Sequence, residues 1–152
     1  YGLKDFGTYA VNSMRMEKAY KAWGGELTTE ITPVEADLLR FVDFSKSFTG
    51  REATLARKLQ GSAMRLVYIE LESDESDCLG NEPVFDGEKL IGITTGGAYG
   101  HTVSKSLAFA YVEPGYTKPG TSFDISLLDK VCRASVLPEA VYDPANQRLR
   151  DI

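Results

Sequence analysis

The sequence predicts an α+β fold, mainly β, in which a helix precedes a small antiparallel β-barrel. Two observations support this prediction. Apolar residues near the N-terminus recur at steps of three and four, and the chain beyond residue 60 consists of short apolar or alternating segments separated by turn-forming residues. Steps of three and four are typical of an amphipathic helix, whereas alternation is typical of a half-buried strand. Six or seven short strands joined by tight turns favour a small barrel.

The first helix is predicted to begin after Asp5 and to end at the Gly24-Gly25 pair. The Asp5 carboxylate can accept hydrogen bonds from the free amides of a first turn. Glycine stops a helix because it adopts the left-handed C′ conformation without strain. One stripe of this helix carries its larger side chains, which we expect to face a core: Phe6, Tyr9, Ser13, Met16, Tyr20 and Trp23.

Arg15 projects from the opposite side of this helix, among small side chains. Two interpretations are open. On an isolated helix, the arginine would extend its stem over its small neighbours to reach solvent. Between two packed layers, its guanidinium would need a carboxylate or a phosphate to offset the cost of desolvation. The second interpretation makes Arg15 the best candidate in the chain for binding an anionic ligand.

Between the first helix and the barrel, the pattern predicts a short strand at Leu38–Phe44 and a second helix at Thr49–Leu59. Thr49 is the expected N-cap, Glu52 occupies the capping-box position three residues later, and Gly61 follows the end of the helix. The charged residues of this helix are expected to form a solvated face.

The barrel strands are predicted from alternation and turn chemistry. Met64–Glu72 alternates as a half-buried strand should, and the acidic, polar segment Ser73–Asn81 is predicted to be a mobile loop. Asp86-Gly87 is a strong hairpin signal because a type I′ turn needs positive φ at both central residues. This turn joins Val84-Phe85 to Lys89–Ile93, and three further strands are predicted at Lys105–Glu113, Thr121–Leu127 and Val131–Leu137.

The glycine-rich run Thr94–Thr102 lacks the G-K-[ST] ending of a phosphate-binding loop. Its glycines are expected to allow a bend or bulge where the strand leaves the sheet. His101, within this run, is a candidate for hydrogen bonding at a domain interface or for lining a cleft. It has no identifiable partner that would make it a catalytic base.

Composition narrows the classes of function. The chain has 152 residues, a net charge of −5, and 43% hydrophobic residues. An acidic balance opposes a nucleic-acid partner, which would require a basic stripe. No apolar run approaches the length of a membrane span, so no membrane partner is expected. With one histidine in the chain, a zinc site is not expected, and Cys78 and Cys132 are interpreted as two free thiols, with a disulfide as the alternative.

The chain also resembles a known family through motifs that run in order along nearly its whole length. The resemblance is to the aminomethyltransferase (T-protein) of the glycine cleavage system, and more strongly to the corresponding part of dimethylglycine and sarcosine dehydrogenases. The motifs are N-S-x-R-x-E-K, W-G-x-E-L and T-P-x-E-A near the N-terminus, then F-T-G-R-E-A, M-R-L-V, G-N-E-P-V, T-T-G-G-A-Y-G-H-T and K-S-L-A-F-A-Y-V.

The resemblance implies that the chain is the C-terminal part of a longer enzyme, inactive by itself. Residues 1–44 would be the remnant of a folate-binding domain and 45–152 the C-terminal barrel domain. The family's catalytic aspartate would precede residue 1, so no catalytic residue is assigned here. The implied cofactors are tetrahydrofolate, shared with the upstream folate domain, and FAD in an upstream flavin domain of the same polypeptide. The expected location is the cytoplasm, or the mitochondrial matrix in a eukaryote.

On this resemblance, Arg15, Trp23 and Tyr142 are the expected folate-binding residues, and His101 lies at a cleft or interface. Trp23 can also be interpreted as a core residue, because it occupies the apolar stripe, and Tyr142 as a packing residue of the tail. The parent reaction would transfer a one-carbon unit from an N-methyl amine to tetrahydrofolate. Two other classes remain as rivals: a purely structural barrel that stabilises a larger enzyme, and an oligonucleotide-binding barrel, which the acidic composition disfavours.

Overall fold

The computed structural model describes residues 2–73 and 76–150. Three α-helices are present in this part of the chain, and we label them α1 (Thr8–Glu17), α2 (Arg51–Gln60) and α3 (Gln147–Arg150). Six strands, β1 to β6, span Arg65–Leu71, Pro83–Asp86, Lys89–Gly100, Lys105–Val112, Ser122–Leu127 and Lys130–Val136. The fold class is therefore α+β with a mainly β body, as the sequence predicts.

The six strands close into an antiparallel barrel with the order β1-β4-β3-β2-β5-β6. The longest pairings join β4 to β1 and to β3. Closure is completed by short pairings of β6 with β1 and of β5 with β2. The barrel interior is filled by apolar side chains, among which Ile69, Phe123 and Ile125 are fully buried. The predicted small antiparallel barrel is confirmed.

The glycine-rich run behaves partly as expected. The register of β3 against β4 shifts between Thr94 and Gly96, so a bulge is present. The strand nevertheless stays paired with β4 as far as Gly100, opposite Lys105. The expectation that the strand leaves the sheet here is wrong. At Gly97, an added Cβ would lie 2.7 Å from the Leu107 carbonyl oxygen, so glycine is what allows the two strands to approach at this point.

The predicted strand at Leu38–Phe44 is wrong. Leu39–Phe41 forms one turn of 3₁₀ helix, in which the Val42 N–H donates to the Leu39 carbonyl. Phe41 is exposed. A strand is stable only when it pairs with a neighbour, and the closed barrel offers no free edge for this segment.

The second helix is present, but its predicted cap is not. Gly50, not Thr49, precedes the first helical residue, and no side chain caps this end. Glu52 pairs with the adjacent Arg51 instead of reaching back to a backbone amide. Gly61 follows the last helical residue, as predicted, with φ of 80°. All residues of α2 are at least partly exposed, in agreement with the expected solvated face.

The first helix is shorter than predicted. Gly7 is its N-cap residue, so Asp5 does not cap it, and the helix ends at Glu17, well before Gly24. Ala19 adopts a left-handed conformation with φ of 52°, and the Tyr20 N–H donates to the Arg15 carbonyl. This is the Schellman arrangement, here formed without glycine.

The predicted core-facing stripe of α1 is wrong as well. Ser13 and Met16 are buried, but Phe6 is exposed and Tyr9 is 91% exposed. Because the helix ends at Glu17, the residues beyond it do not continue a helical stripe, and Trp23 is 73% exposed. The face that α1 buries lies instead against β3 and β4 on the outside of the barrel. A second apolar cluster forms there around Met16, Leu66, Tyr68, Leu107, Phe109 and Tyr111.

Both cysteines, Cys78 and Cys132, are free and buried, as the free-thiol interpretation predicts. The loop predicted at Ser73–Asn81 lies outside regular secondary structure wherever it is described, and residues 74 and 75 lie outside the described residues. Within the ranges that the structure describes, no helix combines the length and apolar character needed to cross a membrane.

Candidate functional site

Arg15 is held in one orientation at the junction of α1 and the barrel. Its Nη1 donates to Glu26 Oε2 at 2.9 Å and to the Tyr20 carbonyl at 3.0 Å, while its Nε donates to Asn12 Oδ1 at 2.8 Å. The arginine side chain is 20% exposed and the Glu26 side chain is fully buried. Three fixed partners leave the guanidinium little freedom to reorient.

Glu26 is the centre of this arrangement. Its Oε2 also accepts from the Ala22 N–H at 2.7 Å, and its Oε1 accepts from the Thr95 hydroxyl at 3.0 Å. The Glu26 carbonyl accepts from the Tyr111 hydroxyl at 2.7 Å. Burial, together with the nearby Glu26 charge, raises the pKa of Tyr111 to about 12. A buried carboxylate with an arginine and two further donors is fully satisfied, so the pair can be retained in the interior.

The polar side of α1 is fastened to the backbone of β3. Asn12 Nδ2 donates to the Gly97 carbonyl at 2.9 Å, and Ser13 Oγ donates to the Tyr99 carbonyl at 2.7 Å. The Asn12 side chain thus links Arg15 to the barrel, because its Oδ1 accepts from Arg15 and its Nδ2 donates to β3. These contacts fix the arginine relative to the barrel wall.

The C-terminal end of α1 is attached to the barrel and to the tail. Glu17 is buried, and its Oε1 accepts from the Thr102 N–H at 2.6 Å. The Glu17 carbonyl accepts from the Tyr142 N–H at 3.1 Å. Lys18 donates to the Asp143 carbonyl at 2.6 Å. One turn of helix therefore joins the arginine site, the β3 end and the C-terminal tail.

The expected carboxylate partner of Arg15 lies within the chain. The interpretation in which Arg15 extends into solvent is wrong, because the side chain is mostly buried and paired. Among the described residues, Nη2 has no hydrogen-bond acceptor. It lies near Gly96, where an added Cβ would be 3.9 Å from Nη2 and 3.9 Å from Glu26 Oε1. One face of the guanidinium fork is thus left for a further partner.

The other three predicted site residues lie at separate points. The Tyr142 ring is flanked by Lys18 at 5.9 Å and Arg148 at 5.5 Å, and its hydroxyl accepts from Arg148. Trp23 is exposed, so the core-packing interpretation of its side chain is wrong. His101 is exposed and lies edge-on to the Tyr99 ring, with 5.1 Å between ring centroids. In the described part of the chain, no hydrogen bond, ion pair or ring contact joins any two of the four predicted residues.

Glu26, Asn12 and Glu17 were not singled out by the sequence. Glu26 belongs to the W-G-x-E-L motif and Asn12 to N-S-x-R-x-E-K, so each stands in a segment that carries the resemblance. Sequence spacing alone does not place Glu26 next to Arg15, because the chain reverses between them. The described residues contain no group of three or more His, Cys, Asp or Glu side chains that could hold a metal ion.

Two family models match the chain. The model of the glycine cleavage T-protein C-terminal barrel domain matches residues 65–143, and the model of the GCVT N-terminal domain matches residues 1–46. The mitochondrial dimethylglycine dehydrogenase of Rattus norvegicus is 40% identical over 98% of this chain. An aminomethyltransferase of Desulfitobacterium hafniense is 31% identical over 93% of it.

The chain spans only part of these relatives: 18% of the dehydrogenase and 39% of the aminomethyltransferase. Among solved structures, the glycine cleavage system aminomethyltransferase T of Bartonella henselae matches with a TM-score of 0.78 and 24% identity. That match covers 89% of this chain and 38% of the other, and it shows a shared fold.

Proposed function

This chain belongs to the family of the glycine cleavage T-protein C-terminal barrel domain, and we propose that it is the C-terminal part of a folate-dependent demethylating enzyme similar to dimethylglycine dehydrogenase. The parent enzyme would pass a one-carbon unit from an N-methyl amine to tetrahydrofolate. The present chain would form one wall of the folate site and would be inactive alone. The observation that carries the proposal is a fixed, partly exposed Arg15 whose Nη2 has no acceptor among the described residues.

Arg15 is suited to bind an anionic ligand group. Its Nε and Nη1 are held by Asn12 and Glu26, so the ordering of the side chain is complete before a ligand arrives. Preorganisation of this kind lowers the entropic cost of binding. Nη2 is then the donor that would reach a carboxylate of the folate glutamyl tail.

Two aromatic residues complete the proposed folate wall. Trp23 presents an exposed ring after the end of α1, where a flat heterocycle could stack on it. Tyr142 is attached to the same helix end through the Glu17 carbonyl. His101 is the proposed cleft or interface residue, and it is exposed at the end of β3.

The remaining parts of the parent enzyme are proposed from the relatives. We assign residues 1–44 to the end of a folate-binding domain and residues 45–152 to the barrel domain, a division supported by the two family matches. The partners would be upstream folate and flavin domains of the same polypeptide, with FAD bound upstream. The proposed location is the cytoplasm, or the mitochondrial matrix in a eukaryote, since the dehydrogenase relatives are named as mitochondrial.

The test is folate binding by the full-length parent enzyme, measured by titration calorimetry. Arg15→Lys keeps the charge beside Glu26 but removes the guanidinium fork, and we expect affinity for tetrahydrofolate to fall by about 2 kcal/mol, the cost of losing a charge-assisted contact. Arg133→Lys, on the far β6 strand and half exposed, is the matched control and should bind folate normally. Unchanged affinity in Arg15→Lys, with the fold intact, would refute the proposed contact.

A second candidate is a purely structural module, and one observation favours it. Glu26 already balances the Arg15 charge, so the pair can be explained as the fastening of α1 to the barrel. On that interpretation Arg15→Lys lowers the free energy of unfolding and leaves folate affinity unchanged. The calorimetric experiment, run together with urea denaturation, separates the two functions.

A further inference from the structure

A cleft of about 400 Å³ lies outside the barrel, between the end of α1 and the C-terminal tail. Its floor includes Leu66, Tyr68 and Phe109 from β1 and β4. Its far wall is formed by the last residue of β6 and by residues 137–140 of the tail, with Pro144 and Asn146. None of Arg15, Trp23 and Tyr142 lines it. The cleft is within the size range of small-molecule sites and combines an apolar floor with polar walls.

Four cations line this cleft, and two of them already have carboxylate partners. Lys18 pairs with Asp143 at 3.5 Å, and Arg65 pairs with Asp37 at 3.8 Å. In the described ranges, the other two cations, Lys21 and Arg40, have no carboxylate within ion-pair distance. The cleft therefore carries unpaired positive charge on a protein whose net charge is −5.

The Lys21 ammonium lies over the floor of the cleft. Its Nζ is 6.0 Å from the centroid of the Phe109 ring. Burial lowers the pKa of the Lys21 amine, and the charges of Asp37 and Glu26 offset this effect only in part. An anion in the cleft would stabilise this charge, and the more exposed Arg40 could bind the same anion with its planar fork.

The opposite wall supplies hydrogen-bond acceptors. The Asn146 Oδ1 is buried and receives no hydrogen bond, and it is the one such side-chain atom in the described part of the chain. Glu139, which also lines the cleft, is exposed and has no cationic partner among the described residues. A buried acceptor without a donor weakens the folded state. A ligand with N–H groups could donate hydrogen bonds to Asn146 Oδ1 and to the Glu139 carboxylate.

We propose that this cleft binds a small amino-acid zwitterion. Its carboxylate would bind Lys21 and Arg40, its ammonium would donate to Glu139 and Asn146, and an apolar side chain would rest on Phe109 and its neighbours. The unpaired groups of the cleft match a ligand with one charge of each sign better than a phosphate dianion, because Glu139 would repel a second negative charge. The site is independent of the proposed folate contact at Arg15.

The test uses the 152-residue chain in amide-detected NMR titrations with L-leucine, acetate, ethylamine and inorganic phosphate. We expect saturable shifts with L-leucine in the cleft segments, residues 18–21 and 136–146, and at least about tenfold weaker binding of acetate and ethylamine, each of which fills half of the site. Absence of saturable shifts with L-leucine, or tighter binding of phosphate than of L-leucine, would overturn the proposal.

Two exposed residues allow variants that should fold normally. Arg40→Ala and Glu139→Gln should each weaken L-leucine binding about tenfold, the effect of losing one charged hydrogen bond. Lys46→Ala and Glu30→Gln change the charge equally outside the cleft and should bind as the parent chain does. If Glu139→Gln binds L-leucine as tightly as the parent chain does, and also binds acetate as tightly as the parent chain does, the proposed contact between Glu139 and the ligand ammonium is wrong.

Discussion

Arg15 and Glu26 form a buried ion pair that holds α1 against the barrel and fixes the orientation of the arginine. The carboxylate is fully buried, and four protein groups, two of them backbone groups, are bound to the pair. Removing one partner of a buried ion pair leaves an uncompensated charge, which is far more costly than removing both. The pair therefore links the stability of the α1 layer to the orientation of the proposed ligand-binding arginine.

Glu26→Ala should lower the free energy of unfolding by about 3–5 kcal/mol, because it leaves the Arg15 charge without its buried partner. Urea denaturation followed by circular dichroism measures this change. Glu30→Ala is the matched control: Glu30 is exposed, its side chain has no partner among the described residues, and its loss should change the unfolding free energy by less than about 0.5 kcal/mol. Similar midpoints for the two variants would contradict the central role of Glu26.

The buried cysteines give a second residue-scale prediction. Cys78 is fully buried, and burial raises the pKa of its thiol. Since the thiolate is the reactive form, both access and ionisation oppose its reaction. We expect Cys78 and Cys132 to resist a thiol-labelling reagent at neutral pH in the folded chain and to react within the mixing time in urea. Rapid labelling of Cys78 without denaturant would show that the connection between β1 and β2 opens readily.

At the scale of elements, the contact between α1 and β3 decides the geometry of the site. The helix presents its polar residues to the strand, and the strand presents glycines and backbone carbonyls in return. The absence of a side chain at Gly100 lets the end of the helix lie close to the strand, because an added Cβ there would be 2.9 Å from Glu17 Cγ. The apolar stripe of α1 does not mark its buried face, because that face is partly polar and its polar groups bond to the sheet.

Gly100→Ala should destabilise the chain by about 1–3 kcal/mol through overpacking. The added Cβ would lie 2.9 Å from Glu17 Cγ and from Val103 Cγ2, between the end of α1 and the barrel. The Tm from a thermal melt, compared with that of Gly115→Ala, measures the effect. At Gly115 an added Cβ would meet nothing within 4 Å, so this variant should melt within a few degrees of the parent chain.

At the scale of the whole molecule, the described residues form two apolar clusters, one inside the barrel and one under the α1 layer, which share the strands β1 and β4. Tyrosines in the outer cluster direct their hydroxyls to the layer above them: Tyr68 donates to the Met16 carbonyl and Tyr111 to the Glu26 carbonyl, both at 2.7 Å. Burial raises the pKa of both hydroxyls. The attachment of the outer layer to the barrel therefore depends on neutral tyrosines.

This dependence predicts alkaline destabilisation. The folded-state pKa of Tyr111 is about 12, above the unfolded value of about 10. Its contribution to stability is therefore complete below about pH 10 and is lost as the pH rises toward about 12. We expect the urea midpoint to fall across this range, and to fall less steeply in Tyr111→Phe, which has no hydroxyl to ionise. Tyr9→Phe removes an exposed hydroxyl and should retain the steep pH dependence.

The accuracy of the structure predicted from the sequence differed between the barrel strands, the segment before the barrel and the Arg15 site. The bounds of the strands from Arg65 to Val136 were predicted to within a few residues, because alternation and turn signals such as Asp86-Gly87 act locally. The exception is the end of β3, predicted at Ile93 but observed at Gly100, because the glycine-rich run stays paired with β4. The strand predicted at Leu38–Phe44 was wrong because no partner strand was available to pair with it. Arg15 was recognised as a candidate, but Glu26 was not recognised as its partner, since the reversal of the chain between them has no local signature.

The sequence by itself determined the barrel, the family resemblance and the presence of one arginine in an unusual setting. These follow from local periodicity, turn chemistry and motifs, all of which involve residues that are close together in the sequence. Only the tertiary structure decided where α1 ends, which of its faces is buried and which carboxylate neutralises Arg15. Those outcomes depend on the surface of β3, because a helix buries the face that meets a complementary surface. The β3 residue that Asn12 contacts lies 85 positions further along the chain, so local sequence patterns do not reveal this contact.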